Sequence, residues 1–432
     1  MGVDARANEK SASALREEKV EPRRRPADPA GTGSIRALTV DPEGMELPLR
    51  LQMRTILISL MGMHLTVVSS LDVLCRQQAC GALAAEHPAA VAVLHDLLEN
   101  GVVIRRIFGR PGPVQREETL LEHGCLSCTV RLDVVPTIER LLDLGEDHII
   151  IGLPPAVPAS TAVNALKRGL AHRFIIDSVL LACAPDALED HIWDHHTMFE
   201  SGFTAVPDDQ RTPGEFLIGE LAFSDTILLA DPDLVPVDPR GRARGVQLLG
   251  QLAPHAVITE NACDIRPGRH DYAEATARSA PGTVRVPAGP SASPFSTVTR
   301  RVQRPLHPER FRHALATLAQ GCCWLRGRLW IAAAPECRIA VQGIGPRVWL
   351  ENTGPWLTGQ TPHPAADRTN NAGARWDGRP DAMDRGTVLA VTGEDIDAAE
   401  ITRLLADCEL TDAEIAAGIT GLHDPFGLTT TH

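Results

Sequence analysis

Between residues 55 and 259, short apolar, β-branched runs alternate with helix-like stretches, and this rhythm constrains the fold more than any other feature. The runs fall at 55–60, 102–107, 148–151, 174–181, 226–229 and 256–259. Between them lie helix-like stretches at 66–80, 133–144, 160–170, 185–196, 213–223 and 245–252. Strands joined by helical crossovers predict an α/β domain whose mostly parallel sheet is covered on both faces. A Pro/Gly/Ser-rich linker follows at 281–296, and beyond it the pattern changes. A helix at 308–320, closely spaced strands at 322–333, 338–342 and 347–351, a strand at 386–392 and a helix at 397–408 predict a small α+β domain. The expected division is a tail at 1–52, the α/β domain at 53–280, the linker at 281–296, the second domain at 297–415 and a tail at 416–432.

Residues 1–52 are charged and proline-rich without apolar periodicity, the composition of a disordered tail. Met53, immediately ahead of the first apolar run, offers an alternative start. The opening segment has no apolar h-region, and the run at 56–65 is too short to cross a bilayer. Ten cysteines in 432 residues do not read as a secreted disulfide framework, so the cytoplasm is expected and no membrane partner. A net charge of -13 argues against wrapping DNA. Locally, Arg300, Arg301, Arg304, Arg310, Arg312, Arg326, Arg328, Arg338 and Arg347 face only Glu309 and Glu336 in sequence. That stretch is either a solvated sheet face or a contact surface for RNA or an acidic protein.

The exit of the first strand is where a P-loop protein places G-x-x-x-x-G-K-[ST]. Taken as Ser59-Leu-Met-Gly62-Met-His-Leu-Thr66, the loop keeps one glycine, and no lysine lies between Lys19 and Lys167. Gly152 stands where a magnesium-binding carboxylate is wanted, and Ala230-Asp-Pro-Asp233 replaces Asn-Lys-x-Asp, leaving Asp233 alone to face a guanine edge. Degenerate nucleotide loops at Gly62, Gly152 and Asp233 predict no use of GTP or Mg²⁺ and no catalytic residue.

The strongest positive signal is Glu122-His123-Gly-Cys125-Leu-Ser-Cys128-Thr-Val-Arg131. A C-x-x-C on a turn before a helix brings two sulfurs to one Zn²⁺, which wants four ligands. His123, Glu122 or a distant cysteine could supply more, and Cys125, Cys128 and His123 form the expected set; two inert loop cysteines are the plain alternative. Asp190-His191-Ile-Trp-Asp194-His195-His196 puts His191 and His195 on one helical face, a spacing open to a metal, though an exposed polar helix end is the favoured reading. Cys322 and Cys323 should point to opposite faces of a strand. Trp324, Trp330, Trp349 and Trp356 read as core of the second domain.

The segment His123-Gly-Cys-Leu-Ser-Cys-Thr-Val-Arg-Leu-Asp133 resembles the G-C-x-C-C-T-V-R-x-D-L signature of the CobW-like metal-chaperone GTPases. Cys125 and Cys128 match the outer two of that family's three zinc-binding cysteines, and Ser127 replaces the middle one. Glu220-Leu-Ala-Phe-Ser-Asp225, Arg304-Pro-Leu-His-Pro-Glu-Arg-Phe311, Arg326-Gly-Arg-Leu-Trp-Ile331, Gly354-Pro-Trp356, Trp376-Asp377 with Asp384-Arg385, and Leu410-Thr-Asp-Ala-Glu414 extend the resemblance over about residues 53–415. It implies a degenerate P-loop NTPase sheet, a CobW C-terminal domain, and a role in zinc homeostasis. Cys125-Leu-Ser-Cys-Thr129 and Asp424-Pro-Phe-Gly427 further resemble actinobacterial members without a P-loop that recruit a ribosome-hibernation factor. That resemblance implies a non-hydrolysing, zinc-responsive adaptor whose partner is the ribosome or its hibernation factor. The alternative it leaves open is a zinc metallochaperone GTP-binding protein.

Overall fold

A computed structural model describes residues 63–109, 114–170, 174–232, 236–287, 293–356, 374–376, 385–419 and 421–428. The expected strand at 55–60, together with Gly62, lies outside the described residues, as does Asp233.

The first described strand, β1 (Met63–Ser69), is the central strand of the large sheet. It pairs in parallel with β5 (His148–Gly152) on one side and β6 (Phe174–Cys183) on the other. The sequence reading placed residues 63–65 in a loop and began a helix at Thr66; both assignments are corrected. Thr66-Val67-Val68 is β-branched and stiff, which suits a strand, and the helix waits for an N-cap at Asp72. That helix, α1 (Val73–Glu86), leads to β2 (Val91–Leu97), a strand the sequence reading missed.

The sheet runs β4-β3-β2-β5-β1-β6-β7-β8, with β3 (Val102–Phe108), β4 (Gln115–Leu120), β7 (Thr226–Leu229) and β8 (Val257–Thr259) completing it. Strands β2, β5, β1, β6, β7 and β8 are parallel, while β3 and β4 form an antiparallel edge. Its flanking helices are α2 (Leu126–Thr129), α3 (Val135–Asp143), α4 (Ala159–Gly169), α5 (Leu188–Trp193), α6 (Pro213–Phe223), α7 (Pro239–Leu252) and α8 (Tyr272–Ser279). The mostly parallel α/β architecture expected from the sequence is therefore present. Among the described residues no helix is long and apolar enough to cross a membrane.

Inside this layer Arg76 of α1 is fully buried. Its guanidinium donates to the carbonyls of His95 at 2.6 Å and Leu153 at 2.7 Å, and it pairs with Asp96. The residue thus ties α1 to the C-terminal ends of β2 and β5. Gly152 sits beside it because a Cβ there would lie 3.0 Å from both Cys80 Sγ and Leu94 Cγ.

Two short strands, β9 (Arg285–Pro287) and β14 (Ala374–Trp376), pair antiparallel with each other. The second sheet is antiparallel, ordered β10 (Phe295–Val302), β15 (Thr387–Glu394), β11 (Cys322–Leu329), β12 (Cys337–Ile344) and β13 (Arg347–Pro355). On one face α9 (Pro308–Ala319) and α10 (Ala398–Cys408) bury Phe311, Leu318 and Leu405 against Leu325, Val341 and Leu389. The other face meets the large domain, where Cys323, Trp324, Ile344 and Phe295 pack with Ile192, Phe216 and Ile218. Cys322 and Cys323 fall in different cores, as their strand position predicts. Trp324 and Trp349 belong to the shared seam rather than to the second domain's own core, and Trp330 and Trp356 are half-buried. Arg244 bridges Glu189 and Glu394, and Gly345 approaches so closely that a Cβ would stand 2.1 Å from the Ile192 carbonyl.

Glu220 of α6 is buried at the N-terminus of α4, where both carboxylate oxygens accept from the Ala159 amide at 3.1 and 3.2 Å. Burial pushes its pKa up to about 7, against hydrogen bonds from Ser69 and Ala159.

Two outcomes follow from these buried groups. Arg76→Ala strands two carbonyls and the Asp96 carboxylate, so urea denaturation should register a loss of about 3–5 kcal/mol, with Arg76→Lys intermediate. Because the folded pKa of Glu220 lies above its unfolded value of 4.5, the folded chain holds a proton that the unfolded chain releases between those pH values. Its contribution therefore falls as pH rises from about 4.5 to about 7, by up to about 3 kcal/mol. Glu220→Gln should flatten this slope in denaturation curves taken at pH 5, 6, 7 and 8 and raise stability at pH 8.

Candidate functional site

In an open α/β sheet ligands bind where successive strands are laid down on opposite sides, outside the strand C-termini. Here that point is the end of β1, since β2 and β5 lie to one side and β6 to the other. A cavity of about 200 Å³ occupies it, reached by Ser70 and Asp72 after β1, Cys75 of α1, Cys183 of β6, and Asp231 after β7. Its wall is largely apolar, and among the described residues no lysine or arginine lines it. Three carboxylates do: Asp72, Asp186 and Asp231.

The helix N-terminus facing this cavity is already occupied. Asp72 Oδ1 accepts from the Cys75 amide at 2.7 Å, while Ser70 Oγ takes the Asp72 amide at 3.1 Å and donates to the Ala182 carbonyl at 2.7 Å. Four free amides and the positive end of the helix dipole make such a terminus an anion site; here the chain supplies the anion itself. Asp231 is ion-paired with Arg242 at 3.0 Å. Burial drives the Cys75 thiol far above its ordinary range and Cys183 up to about 12, so both stay protonated at neutral pH. The loop facing the cavity is thus Ser69–Val73 rather than Ser59–Thr66, and it contains neither glycine nor lysine.

The cysteine pair sits elsewhere, on the β2–β3 flank of the sheet. Gly101, at φ +78, and Gly124 are packed back to back; a Cβ on Gly124 would lie 2.9 Å from Gly101 backbone atoms. This contact, with the Leu121 amide bonded to the Gly101 carbonyl at 2.9 Å, fixes the approach to Cys125. Cys125 N-caps α2, its sulfur accepting from the Cys128 amide at 3.0 Å and lying 3.4 Å from Ser127 Oγ. Partial burial opposes its ionisation, but hydrogen bonds from Cys128 and Ser127 outweigh this and hold the thiol below the usual range. The shared hydrogen bond to Cys125 raises Cys128. Two free cysteines, both partly exposed, therefore lie one helical turn apart, Cys125 being the more easily ionised of the two.

Directly after Thr129 the helix widens into a π turn, Val130–Val134, which rotates Asp133 inward. Asp133 accepts from Arg105 at 2.9 Å, and burial lifts its carboxyl above the usual range against that attraction. His95, fully buried, is lowered to about 3 by burial and by Arg105 and Arg76, so its 3.5 Å approach to Asp133 is not an ion pair at neutral pH.

His123 is exposed and does not join Cys125 and Cys128 in a three-ligand group. His191 and His195 do not share a helical face, because α5 stops at Trp193; His191 turns inward against Phe203. The arginine stretch is not a free cationic face either. Arg304 pairs with Asp412, Arg310 with Glu414, Arg312 with Glu309 and Arg347 with Glu215, three of these four carboxylates coming from outside the stretch. Arg300 and Arg338 bond to Thr402 and Thr353, Arg326 is buried against Trp324, and Arg301 and Arg328 also have partners. Asp424-Pro-Phe-Gly427 is held in packing: the Phe426 amide bonds to Asp424, and the Phe426 ring lies 6.2 Å from that of Phe311.

Sequence reasoning missed Asp72 and Arg76 by placing the loop one strand-length early. Their signal was an Asp just after Thr-Val-Val-Ser-Ser, a cap following a β-branched run.

Residues 295–409 match the cobalamin synthesis protein cobW C-terminal domain. The chain is 26% identical over 353 residues to the zinc chaperone Rv0106 of Mycobacterium tuberculosis, covering 76% of this chain and 85% of that one. It is 22% identical over 347 residues to zinc-regulated GTPase metalloprotein activator 1 of Dictyostelium discoideum, covering 74% and 72%. Zn(II)-bound YjiA GTPase from E. coli is a solved structure with 12% identity and a TM-score of 0.33, over 81% of this chain and 99% of that one. Both sequence relatives are named for zinc, and the second of them also for a GTPase. The chain thus carries a CobW C-terminal domain and is homologous to a zinc chaperone and to a zinc-regulated GTPase metalloprotein activator.

Proposed function

We propose that this chain is a zinc-handling protein of CobW type that accepts and passes on Zn²⁺ without a nucleotide cycle, with Cys125 and Cys128 as its cargo site. The observation that carries the reading is the pair of free, partly exposed cysteines at the start of α2, in a chain whose relatives over three quarters of its length include a zinc chaperone. Two sulfurs supply half of a tetrahedral zinc shell. Exposure of the pair leaves the other positions to water, to His123 by a swing of its loop, or to an acceptor. Transfer is then ligand exchange: an acceptor thiolate binds the ion, a donor sulfur leaves and is reprotonated, and no electron moves.

The absence of nucleotide rests on the first turn of α1. A triphosphate at the end of β1 would meet the Asp72 carboxylate, two further aspartates and, among the described residues, no lysine or arginine, in a cavity of about 200 Å³. Pockets for drug-sized ligands measure about 300–1,000 Å³. The ribosome-adaptor reading has less behind it, since its basic face is neutralised within the chain and its Asp-Pro-Phe-Gly segment is used in packing. A cytoplasmic site of action goes with the zinc-handling reading.

Zinc titration against a chromophoric chelator should show a site that Cys125→Ser/Cys128→Ser removes, weakening binding at least 100-fold. A fluorescent GTP analogue with Mg²⁺ should show no saturation up to millimolar protein. Micromolar, magnesium-dependent binding would overturn the nucleotide-free part of the proposal; unchanged zinc affinity in the cysteine variant would overturn the cargo site.

A further inference from the structure

The segment joining α5 to α6 gathers a second set of metal-binding side chains, remote in sequence from the cysteine pair. The helix ends at Trp193 because Asp194 adopts an extended backbone, φ -65 and ψ 123. Asp194 then folds the next residues back onto its own carboxylate: Oδ1 accepts from the His196 amide at 2.9 Å and lies 2.8 Å from His196 Nδ1. The His195 and His196 rings stack with centroids 4.0 Å apart and 35° between their planes. One ligand atom from each of Asp194, His195 and His196 lies within 4.8 Å of the others, and among the described residues no other group of three His, Cys, Asp or Glu converges in this way.

We propose that Asp194, His195 and His196 form a second divalent-metal site, of the imidazole–carboxylate class that Zn²⁺ fills, with at least one position open to water. Zinc sits about 2.0–2.2 Å from nitrogen and oxygen ligands, so small rotations of two exposed rings close the set. The carboxylate is held for this purpose: Ser201 Oγ donates to Asp194 Oδ2 at 2.6 Å, an outer-shell bond of the kind that orients metal ligands. The loop beneath is anchored, not loose. Met198 is fully buried, its amide bonded to the Arg211 carbonyl at 2.7 Å, and the Phe203 amide returns to the Met198 carbonyl at 2.9 Å. A backbone tied on both sides lowers the cost of ordering the ligands. The site holds no sulfur, so it exchanges metal faster and binds more weakly than a thiolate site. It stands independently of the cargo reading.

Zn²⁺ alone is titrated calorimetrically into the full chain carrying Cys125→Ser/Cys128→Ser, which leaves this loop untouched. The expected result is one remaining equivalent, weakened at least ten-fold when His195→Ala and His196→Ala are added. Co²⁺ in the same background should give ligand-field bands without thiolate charge transfer. No binding in the cysteine variant, or binding indifferent to both histidine changes, overturns the proposal. Should the double histidine variant fail to melt cooperatively, His195→Ala alone, on an exposed side chain, is judged by the same ten-fold criterion.

Discussion

The first turn of α1 sets the character of the crevice above the sheet. Asp72 places a carboxylate on the helix N-terminus, and Arg76, one turn on, buries a guanidinium beneath it. Each choice is stable only with partners the fold provides. The Asp72 carboxylate has the Cys75 amide, and Arg76 has the carbonyl ends of two strands and Asp96. Burying an unpaired charge costs several kcal/mol, so these contacts fix where β2 and β5 end relative to α1. The same cap takes the Cys75 amide and sets a negative charge where an external anion would approach.

The cysteine loop answers to different constraints. Its position depends on backbone contact between Gly101 and Gly124, and its chemistry on Cys125 capping a short helix. Leu126, between the two cysteines, packs both against the cluster that contains Leu65 and Val67 of β1 and against the cluster that contains Leu71 of the β1–α1 turn. The π turn that follows belongs to the cysteine side: it turns Asp133 into the sheet flank, where Arg105 meets it.

Much of the fold was legible because its helices announce themselves. Pro213 at N1, Thr212 as cap and Glu215 closing a capping box mark α6 at both levels. The first strand was not, because the runs at 55–60 and 63–69 are both apolar and one sequence offers no register between them. β4 escaped for the opposite reason: Gln115–Leu120 is an edge strand with polar side chains, held by pairing rather than burial. The arginine stretch misled because charge counted along the chain ignores carboxylates brought from elsewhere, such as Glu215 and Glu414. The C-x-x-C spacing stood out in the sequence, and the helical turn that starts at Cys125 brings the Cys128 amide onto the Cys125 sulfur. The Asp194–His196 cluster was half readable; its residues stood out, but a helical face was assumed where the helix had already ended.

The seam between the two sheets determines how a bound metal could be sensed at a distance. The crevice at the end of β1 is braced by the buried polar contacts of Arg76. The second sheet is fastened to α5 and α6 by Gly345, Trp324 and the Arg244 bridge. α5 runs straight into Asp194, so the proposed histidine site and the seam share one short helix. The cysteine loop follows β4, the strand at the opposite edge of the large sheet from β8. Leu126, next to Cys125, nonetheless packs against the cluster that holds Ile192 of α5, so apolar contact links the cysteine loop to the helix that leads into Asp194.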